Sequence, residues 1–215
     1  MVDFQSRDTR RGRDDGDDED DPGTEDAPSE SADSGRDDGT GHDPSGETTD
    51  DHHARDLDSL GVAVVTVSSS RSLSDDPSGD VVVAGLEAEG HRVVSRDLVA
   101  DDFDGVQSSV DALVGRDDVD VVVTTGGTGV TPDDVTVEAL DPLFDKELPG
   151  FGELFRLLSH DQIGTKVVGT RATAGVADGV VVFCLPGSED AAKLGVEQII
   201  VEEAGHLAGL AGRGA

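Results

Sequence analysis

The sequence predicts an α/β protein with three layers (α/β/α), in which helices cover both faces of a mostly parallel central sheet. Two observations indicate this class. Valine-rich runs that are typical of buried strands recur at 61–70, 91–99 and 118–127. Stretches with apolar residues at helical spacing, 78–90 and 101–116, separate these runs. This β-α-β-α-β alternation predicts parallel strands, with ligands bound in the crevice outside their carboxyl ends.

The second half of the chain continues the same alternation. The stretch 149–164 has the pattern of a helix, and two strand-like pieces follow at 166–172 and 179–187. A long helix is expected over 188–212. Because no internal repeat is visible, we expect one folded domain that extends from residue 58 to 215.

Residues 1–57 differ from the rest of the chain in composition. They are rich in Asp and Glu, and Gly, Ser, Thr and Pro fill most of the other positions. Such a segment buries too little apolar surface to offset the conformational entropy that is lost on ordering it. We therefore predict a disordered acidic tail. A docking or metal-binding arm that uses His42, His52 and His53 is the alternative interpretation.

The chain is strongly acidic, with a formal net charge of -32 and a sequence pI near 4.1. Nucleic acid and anionic membranes are poor partners for such a chain, because both bind proteins through basic surfaces. The acidic side chains of such a chain repel one another unless salt screens them, and this composition is typical of proteins from a salt-adapted cytoplasm. We therefore interpret the acidity as adaptation to the solvent.

Cysteine content and hydropathy predict a cytoplasmic protein. Cys184 is the only cysteine, so we expect neither an intrachain disulfide nor a zinc site built from cysteines. No run approaches the roughly 18 to 20 apolar residues of a membrane-spanning helix. Arg10 and Arg11 precede acidic residues, whereas an export signal would continue with an apolar stretch.

A glycine-rich turn, TTGGTG at 124–129, follows the third predicted strand. Gly126, Gly127 and Gly129 permit positive φ angles and close approach of the backbone, so successive N–H groups could converge on a phosphate. The turn lacks the lysine of a Walker A loop and the spacing of a dinucleotide-binding fingerprint. A tight turn with a purely structural role explains the glycines equally well.

Two aspartates beside the expected crevice have two interpretations each. The sequence Thr131-Pro132-Asp133-Asp134 is typical of a helix start, with Thr131 as the N-cap and Asp134 closing a capping box. Alternatively, Asp134 coordinates Mg²⁺ carried by a polyphosphate, since carboxylate oxygens suit that ion. Asp101 lies between a strand and a helix, and it either caps the helix or points into the same crevice.

Further groups at the predicted strand ends could bind an anion. Pro186 and Gly187 form a turn before a predicted helix, whose N-cap is Ser188. The free N–H groups at such a helix start suit a phosphate. Hydroxyl groups at the end of the first strand belong to Ser68, Ser69 and Ser70. The candidate cations of the domain are Arg71, Arg156 and Arg171. Pairing with surface acids is the alternative role of each arginine.

A set of motifs runs through nearly all of the predicted domain. They are VSSSR (67–71), DPSG (76–79), TTGGTG (124–129), DDVT (133–136), PGFGELFR (149–156), TRATAGV (170–176) and LPGS (185–188). In this order and spacing they resemble the MoaB/Mog family of molybdenum cofactor biosynthesis proteins. The stretch 142–165 is similar to the MoaB branch in particular, and the acidic tail has no counterpart in the family.

The resemblance implies a molybdopterin-binding fold and a molybdopterin adenylyltransferase, which uses Mg-ATP to adenylylate the terminal phosphate of molybdopterin and releases pyrophosphate. It implies that Asp101 and Asp134 are catalytic and that they hold Mg²⁺. The residues that it assigns to substrate and nucleotide binding are Ser68, Ser70, Gly126, Gly127, Thr128, Gly129, Pro186, Gly187 and Ser188. It also implies a homotrimer or homohexamer, with a molybdenum-insertion protein as a candidate partner that receives the product.

Two other functions fit the same residues. A non-catalytic relative would bind pterin intermediates and pass them to a partner, and aspartates that point away from a common pocket would favour it. A nucleotide pyrophosphatase would cleave ATP or ADP-ribose without any pterin. Release of phosphate from the nucleotide alone would identify that enzyme.

The acidity predicts that assembly of the chain depends on salt. A homo-oligomer brings like-charged surfaces together, and their repulsion is screened only when the Debye length is short. We expect sedimentation velocity to show smaller species in millimolar KCl than in molar KCl. An oligomer of the same size in both solutions would contradict this expectation.

Overall fold

The computed structural model describes residues 56–212. Its strands and α-helices, in chain order, are β1 (Gly61–Val67), α1 (Pro77–Ala88), β2 (Arg92–Val99), α2 (Phe103–Val114), β3 (Val121–Thr125), α3 (Thr136–Leu140), β4 (Lys146–Glu147), α4 (Pro149–Ile163), β5 (Thr173–Ala177), β6 (Val180–Leu185), α5 (Glu189–Gly195) and α6 (Val201–Ala211). Short 3₁₀ helices cover Asp141–Leu143 and Gly164–Gly169, and one π-helical segment, Val196–Ile200, joins α5 to α6. The last three helical segments together form the predicted long C-terminal helix.

The six strands form one sheet in the order β2-β1-β3-β6-β5-β4. β1 pairs in parallel with β2 and β3, and β3 pairs in parallel with β6. β5 runs antiparallel to β6, and the edge strand β4 runs antiparallel to β5. The predicted α/β fold with a mostly parallel sheet is therefore confirmed, and it has the valine-rich, fully buried central strands that parallel sheets require.

The core lies on both faces of the sheet, because successive residues of a strand point to opposite sides. On β1, Val62 and Val64 face one cluster of buried side chains, whereas Ala63 and Val65 face the other. Helices α1, α4, α5 and α6 contribute to the first cluster and helices α2 and α3 to the second. This arrangement confirms the three layers that the alternating sequence pattern predicts.

The prediction of a strand over 166–172 is wrong. The chain forms the 3₁₀ helix Gly164–Gly169 there, and Val168 is 84% exposed, so these valines do not contribute to the core. The strand begins later, at Thr173, in a run of small residues without the β-branched pattern of the central strands. Its Gly175 packs against the ring of Phe144, where a Cβ atom would overlap with the ring. The position of β5 is therefore determined by close packing and not by valine content.

Some predictions about the chain ends cannot be compared with the structure. The predicted disordered acidic tail, 1–57, lies outside the described residues except for its last two, and so do His42, His52 and His53. Within 56–212, none of the helices combines the length and apolar composition that crossing a bilayer requires.

Removing buried contacts of α1 is expected to destabilise the domain. Leu86 is fully buried between α1 and the sheet, so Leu86→Ala should lower the free energy of unfolding by about 2 to 5 kcal/mol. Leu210 on α6 is 56% exposed, and Leu210→Ala is the matched control, with an expected change within about 0.5 kcal/mol. Urea unfolding followed by circular dichroism measures both values. Equal losses in the two variants would contradict this packing.

Candidate functional site

The strand order places three loops at one edge of the sheet. β1 has β2 on one side and β3 on the other, so the chain reverses direction across the sheet between these strands. Since β1, β3 and β6 are parallel neighbours, their carboxyl ends lie side by side. In open α/β sheets, such a point of reversal is where ligands bind.

A cleft of about 500 Å³ opens at this edge. The predicted site residues that line it are Ser68, Ser70, Gly126, Gly127, Thr128, Gly129, Asp134, Pro186, Gly187 and Ser188. The remaining lining residues are Val67, Arg71, Lys166, Gly169 and Thr170. The structure therefore brings together the groups that follow β1, β3 and β6, and it adds part of the 3₁₀ segment Gly164–Gly169, where the sequence predicted a strand.

The glycine turn after β3 requires glycine at two positions. Gly126 and Gly127 have φ angles of 106° and 66°. A Cβ atom on Gly126 would overlap with the carbonyl oxygen of Val67, and one on Gly127 would overlap with the hydroxyl of Thr136. The Thr136 hydroxyl and N–H donate to the Gly126 and Gly127 carbonyl oxygens at 2.8 and 3.0 Å, which fixes the turn to the start of α3. Gly129 does not have a positive φ, which corrects one sequence expectation.

Asp134 lines the cleft, and its carboxylate is held by the turn in front of it. The Thr131 N–H and hydroxyl both donate to its Oδ2 at 2.7 Å. Partial burial raises the pKa of Asp134, but these two bonds, the Gly129 N–H and the positive charge of Arg171 outweigh burial and hold the pKa below its ordinary value. Asp134 is therefore an anion at neutral pH.

The predicted helix start at Thr131 is wrong. The Thr131 N–H donates to the Asp134 carboxylate, as it would in a capping box. This hydrogen bond closes a turn, however, because α3 begins only at Thr136. The N-cap position of α3 is Val135, which makes no side-chain cap bond. Asp134 thus stabilises a turn at the edge of the cleft and does not cap a helix.

Arg171 holds this turn against the rest of the domain. Its Nε donates to the carbonyl oxygen of Gly129 at 2.6 Å, and its Nη2 donates to that of Asp134 at 3.0 Å. The same guanidinium forms an ion pair with Glu138 on α3. The sequence predicted either an anion-binding cation or a surface ion pair, and the structure shows the ion pair together with two backbone contacts.

Asp101 does not line the cleft, although it contacts a loop that does. Its carboxylate accepts a hydrogen bond of 2.6 Å from the Ser69 N–H, and its own N–H donates to the Ser69 hydroxyl at 3.1 Å. The interpretation of Asp101 as a helix cap is wrong, because Asp102 caps α2 through the Gly105 N–H at 3.0 Å. Asp101 and Asp134 therefore contact different loops of the site.

A buried carboxylate, Asp76, organises the first loop of the cleft, and sequence reasoning did not assign it a role. The hydroxyl of Thr66 and the guanidinium of Arg96 donate to its Oδ2 at 2.6 and 3.1 Å. Its Oδ1 accepts from the Gly79 N–H at 3.0 Å and from Arg71 at 3.5 Å. The DPSG motif contains this residue, and an aspartate before proline is a recognisable signal of a helix N-cap.

Arg71 connects this buried carboxylate to the cleft. Its Nη1 donates to the hydroxyl of Ser78 at 2.6 Å, and its Nη2 donates to the carbonyl oxygen of Gly187 at 2.9 Å. The Asp76 charge lies next to the same guanidinium. Arg71 therefore holds the loops after β1 and β6 together, and it shares the Asp76 carboxylate with Arg96.

The Pro-Gly turn after β6 has the predicted form. The Ser188 hydroxyl accepts from the Ala191 N–H at 3.3 Å, which confirms Ser188 as the N-cap of α5. The carbonyl oxygen of Pro186 accepts from the Thr125 hydroxyl at 3.1 Å. Arg156, by contrast, donates to the carbonyl oxygen of Ala172 and is not part of the cleft lining.

Comparison with known proteins relates this cleft to a family. A family model described as a probable molybdopterin binding domain matches residues 63–206. The chain belongs to this family. All residues that line the cleft, from Val67 to Ser188, fall within the matched range of the molybdopterin-binding domain.

Curated relatives in this family are named molybdenum cofactor biosynthesis protein B. The one from Bacillus subtilis is 42% identical over 158 residues, which are 73% of this chain and 93% of the relative. The one from Escherichia coli K12 is 43% identical over 142 residues, which are 66% of this chain and 84% of the relative. This chain is therefore a member of the MoaB/Mog family.

Solved structures share the fold. A crystal structure of molybdenum cofactor biosynthesis protein B is 41% identical and has a TM-score of 0.68, covering 71% of this chain and 96% of that chain. The tungsten cofactor synthesizing protein MoaB from Pyrococcus furiosus is 42% identical with a TM-score of 0.63, covering 70% and 96%. The molybdopterin-binding domain described above therefore has the architecture of these proteins.

The charge of Asp76 is expected to stabilise the domain in a pH-dependent way. Burial raises the pKa of Asp76, but the hydrogen bonds from Thr66, Gly79, Arg96 and Ser78 outweigh burial, so the pKa in the folded state lies below the ordinary 3.8. A lowered pKa means that the stabilisation is complete above the unfolded-state value and is lost as pH falls through the folded-state value.

Asp76→Asn should therefore lower the free energy of unfolding at pH 7 by about 3 kcal/mol. The difference from wild type should stay constant down to about pH 5 and should shrink below 3.8, the ordinary pKa of the carboxyl. Urea unfolding midpoints from pH 7 to pH 3.5 measure this difference in stability. The exposed Asp118→Asn is the control, and its midpoint should change little. A difference that is independent of pH would show that Asp76 does not act through its charge.

Proposed function

We propose that this protein works in molybdenum cofactor biosynthesis and that it transfers an adenylyl group from ATP to the terminal phosphate of molybdopterin, with release of pyrophosphate. The observation that carries the proposal is the cleft at the carboxyl ends of β1, β3 and β6, in which a glycine turn lies beside an ionised aspartate, Asp134. Membership of the molybdopterin binding domain family supports the choice of the pterin substrate.

The reaction needs alignment more than acid or base chemistry. A phosphate oxygen of molybdopterin attacks the α-phosphorus of ATP, a new P–O bond forms, and the bond to the pyrophosphate oxygen breaks. Because a phosphate monoester has a second pKa near 6, this oxygen is already an anion at neutral pH and requires no general base. The cleft lining accordingly consists of backbone donors, hydroxyls, two cations and one carboxylate.

The turns on the three strands would hold the phosphates. The glycine turn lines the cleft, and it needs glycine at 126 and 127 because a side chain there would overlap with Val67 and Thr136. The Pro-Gly turn with Ser188 faces the same cleft, and Arg71 fixes that turn to the loop after β1. This arrangement favours an elongated anionic ligand that contacts several loops at once.

Asp134 fits the role of a Mg²⁺ ligand. It is ionised, it lines the cleft, and a carboxylate offers about four lone-pair sites, of which Thr131 uses two. Within 56–212, no group of three or more metal-binding side chains lies together, so substrate phosphates and water would complete the coordination. Mg²⁺ held there with ATP would stabilise the charge that develops on the pyrophosphate leaving group.

Asp101 would act through the loop that contains Ser68, Ser69 and Ser70. Its two hydrogen bonds with Ser69 set the position of the loop between Ser68 and Ser70, and these two serines line the cleft. We therefore assign Asp101 a positioning role in the free protein, with metal binding as its role when substrates are bound.

One observation favours a second function, binding of a pterin without catalysis. Asp134 lines the cleft, whereas Asp101 is not among the lining residues and bonds to Ser69 on the loop after β1. A binding protein of this kind would hold molybdopterin in the same cleft and pass it to another protein. Product analysis separates the two functions.

The test is product analysis after incubation with molybdopterin and Mg-ATP in concentrated KCl. Wild type should form adenylyl-molybdopterin and pyrophosphate, and Asp134→Asn should form them about a hundredfold more slowly. Asp133→Asn is the matched control, because Asp133 is the neighbouring exposed carboxylate and does not line the cleft, so its rate should be unchanged.

Three other results would replace the proposal. Pterin binding without any adenylylated product from wild type would establish the binding function. Phosphate or pyrophosphate released from ATP in the absence of pterin would identify a pyrophosphatase. Equal loss of activity in the Asp133 and Asp134 variants would show that Asp134 has no specific role.

A further inference from the structure

The segment Lys166–Thr170 lies next to the glycine turn and contributes to the cleft. The Arg171 N–H donates to the carbonyl oxygen of Thr128 at 3.0 Å, so the residues before Arg171 are held beside the turn. Lys166, Gly169 and Thr170 line the cleft, and sequence reasoning gave none of them a role. The segment is therefore a part of the site with no assigned ligand.

Lys166 is the one cation of the cleft lining without an ion pair among the described residues. Arg71, the other cation there, has the buried carboxylate of Asp76 beside it and donates to a serine hydroxyl and a backbone carbonyl. Lys166 has an exposed side chain and takes part in no ion pair within 56–212; the same is true of Lys146 on β4, outside the cleft, whereas Lys193 pairs with Glu197.

Among the cations that line the cleft, Lys166 is the one whose charge is not paired within 56–212. The sequence has 48 acidic residues against 16 Lys and Arg. The net charge of -32 also repels anionic ligands at long range. A lysine that stays uncompensated at the cleft is the group best able to attract and hold a phosphate against that field.

Two hydroxyl groups of residues that line the same cleft lack hydrogen-bond partners as well. The Oγ1 atoms of Thr128 and Thr170 are inaccessible to solvent and bond to no group of the described protein. Thr128 as a whole is only 2% exposed, and both residues line the cleft. Since an unpaired buried hydroxyl costs stability, a ligand in the cleft that supplied the missing partners of both hydroxyls would be bound more tightly.

We propose that Lys166, Thr128 and Thr170 form a phosphate subsite of the cleft, in which the ammonium group contacts one phosphate group and the two hydroxyls, after rotation of their side chains toward the cleft, donate to its oxygens. This inference rests on the proposed function, because the phosphate belongs either to ATP or to the phosphorylated pterin. The glycine turn lines the same cleft as the subsite.

The first test measures binding of three probes separately, ATP with Mg²⁺, pyrophosphate and molybdopterin, by isothermal titration calorimetry. Lys166→Gln should weaken binding of the probe whose phosphate occupies the subsite by about tenfold, the value of one charge-assisted hydrogen bond. Lys166→Arg should retain most of the affinity, because it keeps the charge. Lys146→Gln is the matched control, since Lys146 is an exposed lysine on β4 outside the cleft lining.

The pattern over the probes identifies the source of the phosphate. Weaker binding of ATP and pyrophosphate assigns the subsite to the nucleotide, whereas weaker binding of molybdopterin alone assigns it to the pterin. In either case the loss should decrease in molar KCl, because salt screens an exposed charge. Unchanged affinity of Lys166→Gln for all three probes, or an equal loss in Lys146→Gln, would overturn the subsite.

The second test uses Thr170→Val, which removes the hydroxyl and keeps the shape of the side chain. Because this hydroxyl is unpaired in the free protein, the thermal midpoint of the variant should be unchanged or higher, while its affinity for the same probe falls about threefold to tenfold. A purely structural threonine would give the opposite result, a lower midpoint with unchanged affinity.

These outcomes are separable from failure of the proposed reaction. If wild type forms no adenylyl-molybdopterin but binds pyrophosphate or pterin in a manner that depends on Lys166, the reaction is refuted and the subsite stands. If Lys166→Gln forms product with the wild-type kcat and KM, the subsite is refuted and the reaction stands.

Discussion

The parallel pairing of three buried strands is the constraint on which the rest of the structure depends. β1, β3 and β6 are covered on both faces, so their side chains are almost entirely apolar and the polar chemistry is confined to the loops. Because the strands are parallel neighbours, the loops after all three lie at one edge. Burial of the sheet therefore determines where a ligand can bind, before any individual loop residue is considered.

The second constraint is charge, since an acidic chain must bind anionic substrates. Its cations near the cleft are mostly used internally: Arg71 lies beside the buried Asp76, and Arg171 pairs with Glu138 while it supports the glycine turn. The cleft lining therefore combines the glycine and Pro-Gly turns and several hydroxyls with Lys166, whose charge is not paired within 56–212, and Asp134. Backbone donors carry no net charge, so they bind phosphate without adding to the repulsion or attraction of the surface.

The two aspartates of the proposed reaction have unlike environments. Asp134 is held in the cleft by Thr131 and by the charge of Arg171, and its pKa is lowered as a result. Asp101 instead bonds to Ser69, outside the cleft lining. In the free protein Asp101 orders the loop after β1, and Asp134 orders the turn at the edge of the cleft.

The sequence by itself determined the fold class, the central strands and the turns at their ends, because buried strands leave a strong apolar pattern and turns need glycine and proline. Only the tertiary structure decided the strand Thr173–Ala177 and the 3₁₀ segment before it, since small residues and exposed valines carry no such pattern. The same holds for Asp76 and Lys166. The role of Asp76 depends on partners that are distant in sequence, and that of Lys166 depends on its place in the cleft and on the lack of an ion pair within 56–212. Packing determines both, so neither can be predicted from a local sequence pattern.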